Sequence, residues 1–135
     1  TKCNFGCIIW TTSFLECDLG MKRIISESLR RLGITSESRG YDRTRTAISL
    51  AVEREERLHA VGKEIYLVTA DRCGCSPDAV ERSVRLSAEK AWKRNPDLLI
   101  SMAGYPVDKR PTAKQFMEIL TVYTIKAISN GKKTG

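Results

Sequence analysis

The sequence predicts a compact all-α domain of six helices containing a helix-turn-helix, and three observations lead there. Apolar residues recur three and four positions apart through most of the stretch from Ile24 to Ile125, the spacing that gathers them on one side of a helix. Helix punctuation recurs with them. Gly33, Gly74 and Gly104 stand where helices would close, Ser76-Pro77 and Thr112 where helices would start, and Asn95-Pro96 where one must stop. No segment alternates apolar and polar residues as a half-buried strand would. Ile65 to Val68 comes nearest, and helical spacing together with Ala70 argues against it.

Residues 1–20, TKCNFGCIIWTTSFLECDLG, carry few charges, three cysteines and two glycines, and read as a poorly organised extension. The apolar run from Cys7 to Leu15 is short, is interrupted by Thr11, Thr12 and Ser13, and lacks the small-residue cleavage site of a secretory signal. Met21 followed by Lys22 and Arg23 looks like a natural start. The folded unit is therefore expected over residues 21–130, with 1–20 a leader, a remnant or an over-extended reading frame, and 131–135 a frayed tail.

Within that unit, Ile24, Ile25, Leu29 and Leu32 predict a first helix from Lys22 to Leu32, closed at Gly33. A polar turn, Thr35 to Gly40, leads to a second helix from about Tyr41 to Leu58. Its inward residues are Ala47, Ile48, Ala51, Val52 and Leu58, and its charge run from Glu53 to Arg57 is a solvated face. A third helix, about Lys63 to Arg72, and a fourth, about Pro77 to Arg94, are treated together below. Asp97 to Ala103 is a short fifth helix carrying Leu98, Leu99, Ile100 and Met102. Pro106 to Pro111 is a proline-bounded loop containing Lys109 and Arg110. Thr112 then caps a sixth helix, about Ala113 to Ser129, with the apolar set Phe116, Met117, Leu120, Val122, Tyr123 and Ile125.

At 135 residues the chain has the length of one domain with a real core. Lys and Arg number 23 against 16 Asp and Glu, a formal charge of +7, which favours a polyanionic partner or an acidic surface. No apolar run reaches the roughly 20 residues of a spanning helix, so no membrane partner is expected. Five cysteines, Cys3, Cys7, Cys17, Cys73 and Cys75, are an odd number with no regular framework, and reduced thiols of a cytoplasmic protein are the default. Their spacings are C-x3-C and C-x-C and His59 is the only histidine, so no zinc site and no other cofactor is expected. Cys73 and Cys75 are expected as small buried apolar groups.

The third and fourth helices form the helix-turn-helix. Small Ala70 lets the two helices cross closely, Gly74 can take the positive φ of a tight interhelical turn, and Val80 packs back into the angle; Tyr66, Leu67, Cys73 and Val84 are the apolar positions around them. Set at about 100° per residue, Val80, Val84, Ser87, Ala88, Ala91 and Trp92 of the fourth helix cluster on one side, and Asp78, Arg82, Arg85, Glu89 and Lys93 on the other. Arginine suits base reading because its planar fork donates two hydrogen bonds to guanine O6 and N7 in the major groove. An ordinary amphipathic helix with a solvated charged face is the plain alternative, which Glu81, Glu89 and Lys90 also fit.

Further segments lie in a specific order: Lys22 to Ile34 with Gly40-Tyr41; Val80-Glu81-Arg82 with Arg85, Glu89, Ala91 and Trp92; Gly104-Tyr105; and Arg110-Pro111-Thr112 leading to Phe116. Through them the chain, from about Ile24 to Ile125, resembles the C-terminal DNA-binding domain of stage-zero sporulation protein A, an effector domain of the response-regulator, winged-helix-like class. The resemblance implies a six-helix fold and a sporulation transcription factor that binds promoter boxes as head-to-tail pairs and contacts RNA polymerase from neighbouring surfaces. It also implies that Glu81, Arg82 and Arg85 stand on the DNA-facing helix. The chain departs from the family pattern at Asp78 and Ala79, where a serine-arginine pair is usual, at Leu86, usually histidine, and at Leu67, usually proline. A different target sequence is the expectation. Nothing before Met21 resembles the family's receiver domain, Asp18 being the only aspartate there, so a stand-alone effector domain or a missing upstream part is expected.

Two functions remain. The first is a sequence-specific regulator on double-stranded DNA, with Arg82, Arg85, Asp78 and Glu81 at the bases and Ser76, Lys63, Lys93, Lys109 and Arg110 on phosphates, Arg43 and Arg45 being further phosphate candidates. The second is a protein-interaction module of the same fold that modulates a related regulator without reading DNA, a reading that Asp78 and Ala79 favour. An enzyme lacks its parts: no histidine is expected beside Cys73 or Cys75, and no glycine-rich loop could cradle a phosphate.

Overall fold

A computed structural model describes the backbone of residues 8–38 and 40–134, with the side chains of 20–38 and 40–129. Six α-helices run in the order α1 (Ile8–Arg31), α2 (Tyr41–Glu53), α3 (Leu67–Cys73), α4 (Pro77–Arg94), α5 (Pro96–Ala103) and α6 (Ala113–Thr134). A 3-10 segment, Glu55–Ala60, and a π-helical turn, Val61–Tyr66, link α2 to α3. Among the described residues no strand forms, and 104–112 is irregular.

Boundaries differ from expectation at several helix ends. The first helix starts at Ile8, well before the apolar pattern at Lys22. Residues 8–20 contain no proline, and nothing lies within 4 Å of a Cβ placed at Gly20. Among the described side chains Met21 is the first buried one; the expectation for residues 1–7 lies outside the described residues. At the other end α6 continues past Ser129 to Thr134, and Gly135 lies outside the description.

The second helix ends at Glu53 rather than Leu58. Arg54 is extended, at φ −147 and ψ 104, and its N–H reaches back to the Leu50 carbonyl. Arg57 Nη1 donates to that same carbonyl at 2.8 Å and pairs with Glu53 at 3.2 Å. Part of the charge run thus caps a helix C-terminus, where a cation is favoured, instead of merely meeting water. Leu58 still reaches the core, from the 3-10 segment.

The core is organised around α2, whose Tyr41, Thr44, Ala47, Ile48, Ser49, Leu50 and Ala51 are all buried, so it is enclosed rather than laid on a surface. It packs against α1, α3, α4 and α6. Ile25 and Leu29 enter from α1, Leu32 from the turn that follows it, Leu99 and Met102 from α5, and Phe116, Met117 and Leu120 from α6. On α6 the expected apolar set is corrected at Val122, which is exposed, while Tyr123 and Ile125 are half-buried and Ile119 is buried instead. Thr112 and Gln115 cap α6 reciprocally, each side chain accepting from the other's backbone N–H, at 3.1 and 3.0 Å.

Candidate nucleic-acid interface

The entry to α4 is fixed by local chemistry. Gly74 is left-handed at φ 68 and ψ 41, a conformation that costs other L-residues strain, and both its N–H and that of Cys75 donate to the Ala70 carbonyl. Ser76 Oγ then accepts from Ala79 N at 3.2 Å, and Pro77 occupies the first turn, where its missing N–H is not needed. Ala70 and Val80 are buried on either side of this turn, and Gly74 is exposed at its tip. Cys73 and Cys75 are free thiols, half-buried rather than buried as expected, and Leu67 is exposed instead of joining the apolar positions around the turn.

The inner side of α4 is held by close contact with α2. Gly40 has φ 84, and a Cβ placed there would lie 2.6 Å from Ser83 Oγ and 2.8 Å from Ser83 Cβ, so only a glycine admits this approach. One turn on, Thr44 Oγ1 and Ser87 Oγ share a buried hydrogen bond of 3.1 Å. Because both numbers advance by four, the helices run in the same direction across the contact. Ser83 also donates to Ala79 O at 2.9 Å and accepts from Arg43 at 3.3 Å. Val80, Val84, Ala88 and Ala91 complete the buried side, with Trp92 half-buried. The far end is pinned to α1: Asn95 Nδ2 donates to Arg31 O at 3.4 Å, and the Arg94 stem packs on Gly33.

The outer side carries Asp78, Arg82, Arg85, Leu86 and Lys93, all exposed. Arg82 has no ion-pair or hydrogen-bond partner among the described residues. Arg85 has one: its Nη1 lies 3.1 Å from Glu81 Oε1, and both side chains remain partly open. Glu81 also faces Tyr66, whose hydroxyl pKa is raised from 10.0 to about 12, first by burial and then by the Glu81 charge. Nothing in the sequence spacing joins the π turn to α4, so this electrostatic effect of Glu81 on Tyr66 is visible only in the fold.

The expected phosphate-positioning residues lie on α4 and its N-cap, on the π turn and on the 104–112 loop. Ser76 sits at the α4 N-terminus and Lys93 near its C-terminus; Lys63 lies on the π turn and Lys109 on the 104–112 loop, all four exposed. Arg110, on the same loop, pairs with Glu89 of α4 at 3.2 Å, which brings the loop beside the helix. Arg43 and Arg45 make contacts within the chain: Arg43 donates to Ser83, and Arg45 lies over the Tyr41 ring at 5.7 Å and near Asp42 at 3.8 Å. The contact of Gly40 and Thr44 with α4 also escaped sequence reading, although small residues four apart on both helices were its signal.

A groove elsewhere carries mixed charge. Open and of about 970 Å³, it is lined by Leu58, Met102, Ile119 and Val122, with Glu53, Glu55, Glu56 and Glu118 against Arg54 and Lys114. Its carboxylates disfavour phosphate. Among the described residues no three His, Cys, Asp or Glu side chains converge on a metal position, and no helix is long and apolar enough to cross a membrane. In a comparison with known families, the model described as sporulation initiation factor Spo0A C terminal matches residues 25–124.

Proposed function

The chain belongs to the sporulation initiation factor Spo0A C-terminal family, and from this premise we propose that it is a sequence-specific DNA-binding transcriptional regulator whose α4 enters the major groove. The observation that carries the reading is the pair Arg82 and Arg85, exposed three residues apart on α4. Arg82, with no partner among the described residues to give up, donates to a guanine edge. Arg85 is held by Glu81 and reads a neighbouring base, so Glu81 acts by orienting Arg85. Asp78, exposed in the first turn, accepts from a cytosine amino group. Ser76, Lys63, Lys93, Lys109 and Arg110 set the register on the phosphates. Head-to-tail pairing on adjacent boxes and a contact with RNA polymerase are part of the same proposal, carried by family membership alone.

Selection of bound sequences from a random DNA pool, followed by mobility shifts over a salt series, tests it. The expected outcome is an enriched box, with log affinity falling linearly in log salt at a slope of about −0.9 per phosphate neutralised. Absence of any shift at low salt would replace this function with that of a protein-interaction module.

A further inference from the structure

Leu86 is the odd residue on the outer side of α4. It is 52% exposed, while Val80, Val84, Ala88 and Ala91 of the same helix are buried, so it adds little to the core. A lone exposed leucine is commonplace on a protein surface. Its position makes this one different. Leu86 follows Arg82 by four residues and so lies one turn along on the same face, about 6 Å further along the helix, and it adjoins Arg85 in sequence. A base-pair step is about 3.4 Å, so when Arg82 meets a base edge Leu86 lies over a pair within about two steps of it.

Leucine can neither donate nor accept a hydrogen bond. Against a cytosine amino group or the guanine acceptors it would strip water and return nothing. The apolar group that a base offers in the major groove is the C5-methyl of thymine. We infer that Leu86 is a specificity-determining residue that reads a thymine C5-methyl group beside the base contacted by Arg82. Discrimination has two parts: methyl and leucine leave water together, and other base edges in that place lose hydration without compensation. The inference rests on the DNA-reading function proposed above and adds to it the identity of one neighbouring base.

The test uses the full chain and its selected DNA box. Each thymine of the box is replaced in turn by deoxyuridine, which removes the methyl group and leaves the hydrogen-bonding edge unchanged, and affinities are measured for the wild type and for Leu86→Ala. One thymine position is expected at which deoxyuridine weakens wild-type binding about fourfold, the worth of one buried methyl, and leaves Leu86→Ala binding unchanged. Supplying 5-methylcytosine in place of cytosine at that position should restore part of the loss for the wild type alone. Equal deoxyuridine responses of the two proteins at every thymine would overturn the inference while leaving DNA reading intact. Failure of the wild type to select any box would overturn both. Because Leu86 is half exposed, the variant is expected to keep the wild-type melting curve, and a lowered curve would show that Leu86 supports the fold instead.

Discussion

Arg82 and Ser83 are adjacent in sequence and live under opposite constraints. Ser83 has no spare room: the Gly40 backbone presses against it, Arg43 donates to it, and its hydroxyl returns to Ala79. Arg82 has no partner at all among the described residues. The buried side of α4 thus decides where the exposed side, proposed above to read DNA, sits. Stability and binding should therefore separate along this helix.

The largest expected effect breaks the inner side. Gly40→Ala would place a Cβ within 2.8 Å of two Ser83 atoms on a residue at φ 84. Backbone strain and overpacking together should cost about 3 kcal/mol in denaturant unfolding. Smaller loss, with α2 and α4 unmoved, would show that the contact is softer than the geometry indicates. Next in size is the outer side: Arg82→Ala should leave unfolding within about 0.5 kcal/mol of the wild type, yet cost about 1–3 kcal/mol on the selected box and relax base preference at one position. An equal loss on random DNA would reassign Arg82 to the phosphates.

The turn between α3 and α4 shows what the sequence made legible. Ala70, Gly74, Ser76-Pro77 and Val80 were readable because caps, a left-handed glycine and helical spacing are local signals. The bounds of α4 were readable for the same reason, Pro77 and Asn95-Pro96 being chemical stops. What stayed hidden depends on two segments meeting: Gly40 against Ser83, Tyr66 against Glu81, Arg110 on Glu89. Spacing within one helix carries no information about its neighbour. Residues 130–134 hold no apolar residue to mark the end at Thr134, the apolar run of the first residues is interrupted by Thr11, Thr12 and Ser13, and Leu58 carries the apolar spacing past Glu53, where α2 ends. A glycine's two roles separate here as well. Gly74 has the same left-handed sign as Gly40, but a Cβ there would meet nothing within 4 Å. Gly74→Ala should thus cost only backbone strain, about 1 kcal/mol by unfolding, and Gly74→Asn less.

The smallest effects lie at the edge where the two sides of α4 meet, in the line Tyr66, Glu81, Arg85. Tyr66 holds its proton up to about pH 12 in the folded chain, against 10.0 for the free side chain. Its contribution is therefore intact below pH 10 and is lost as pH rises through 10 towards 12, because the unfolded chain releases the proton first. Tyr66→Phe should flatten that part of the alkaline stability decline and leave stability at pH 7 little changed. Glu81→Gln acts through two opposed terms: it removes a negative charge from the DNA side, and it loosens the Arg85 fork held at 3.1 Å. Non-specific binding should rise and box binding should change by less than about 1 kcal/mol, so the ratio of the two falls. A ratio that stays constant while both affinities rise would mean that Glu81 contributes charge alone and that Arg85 needs no holding.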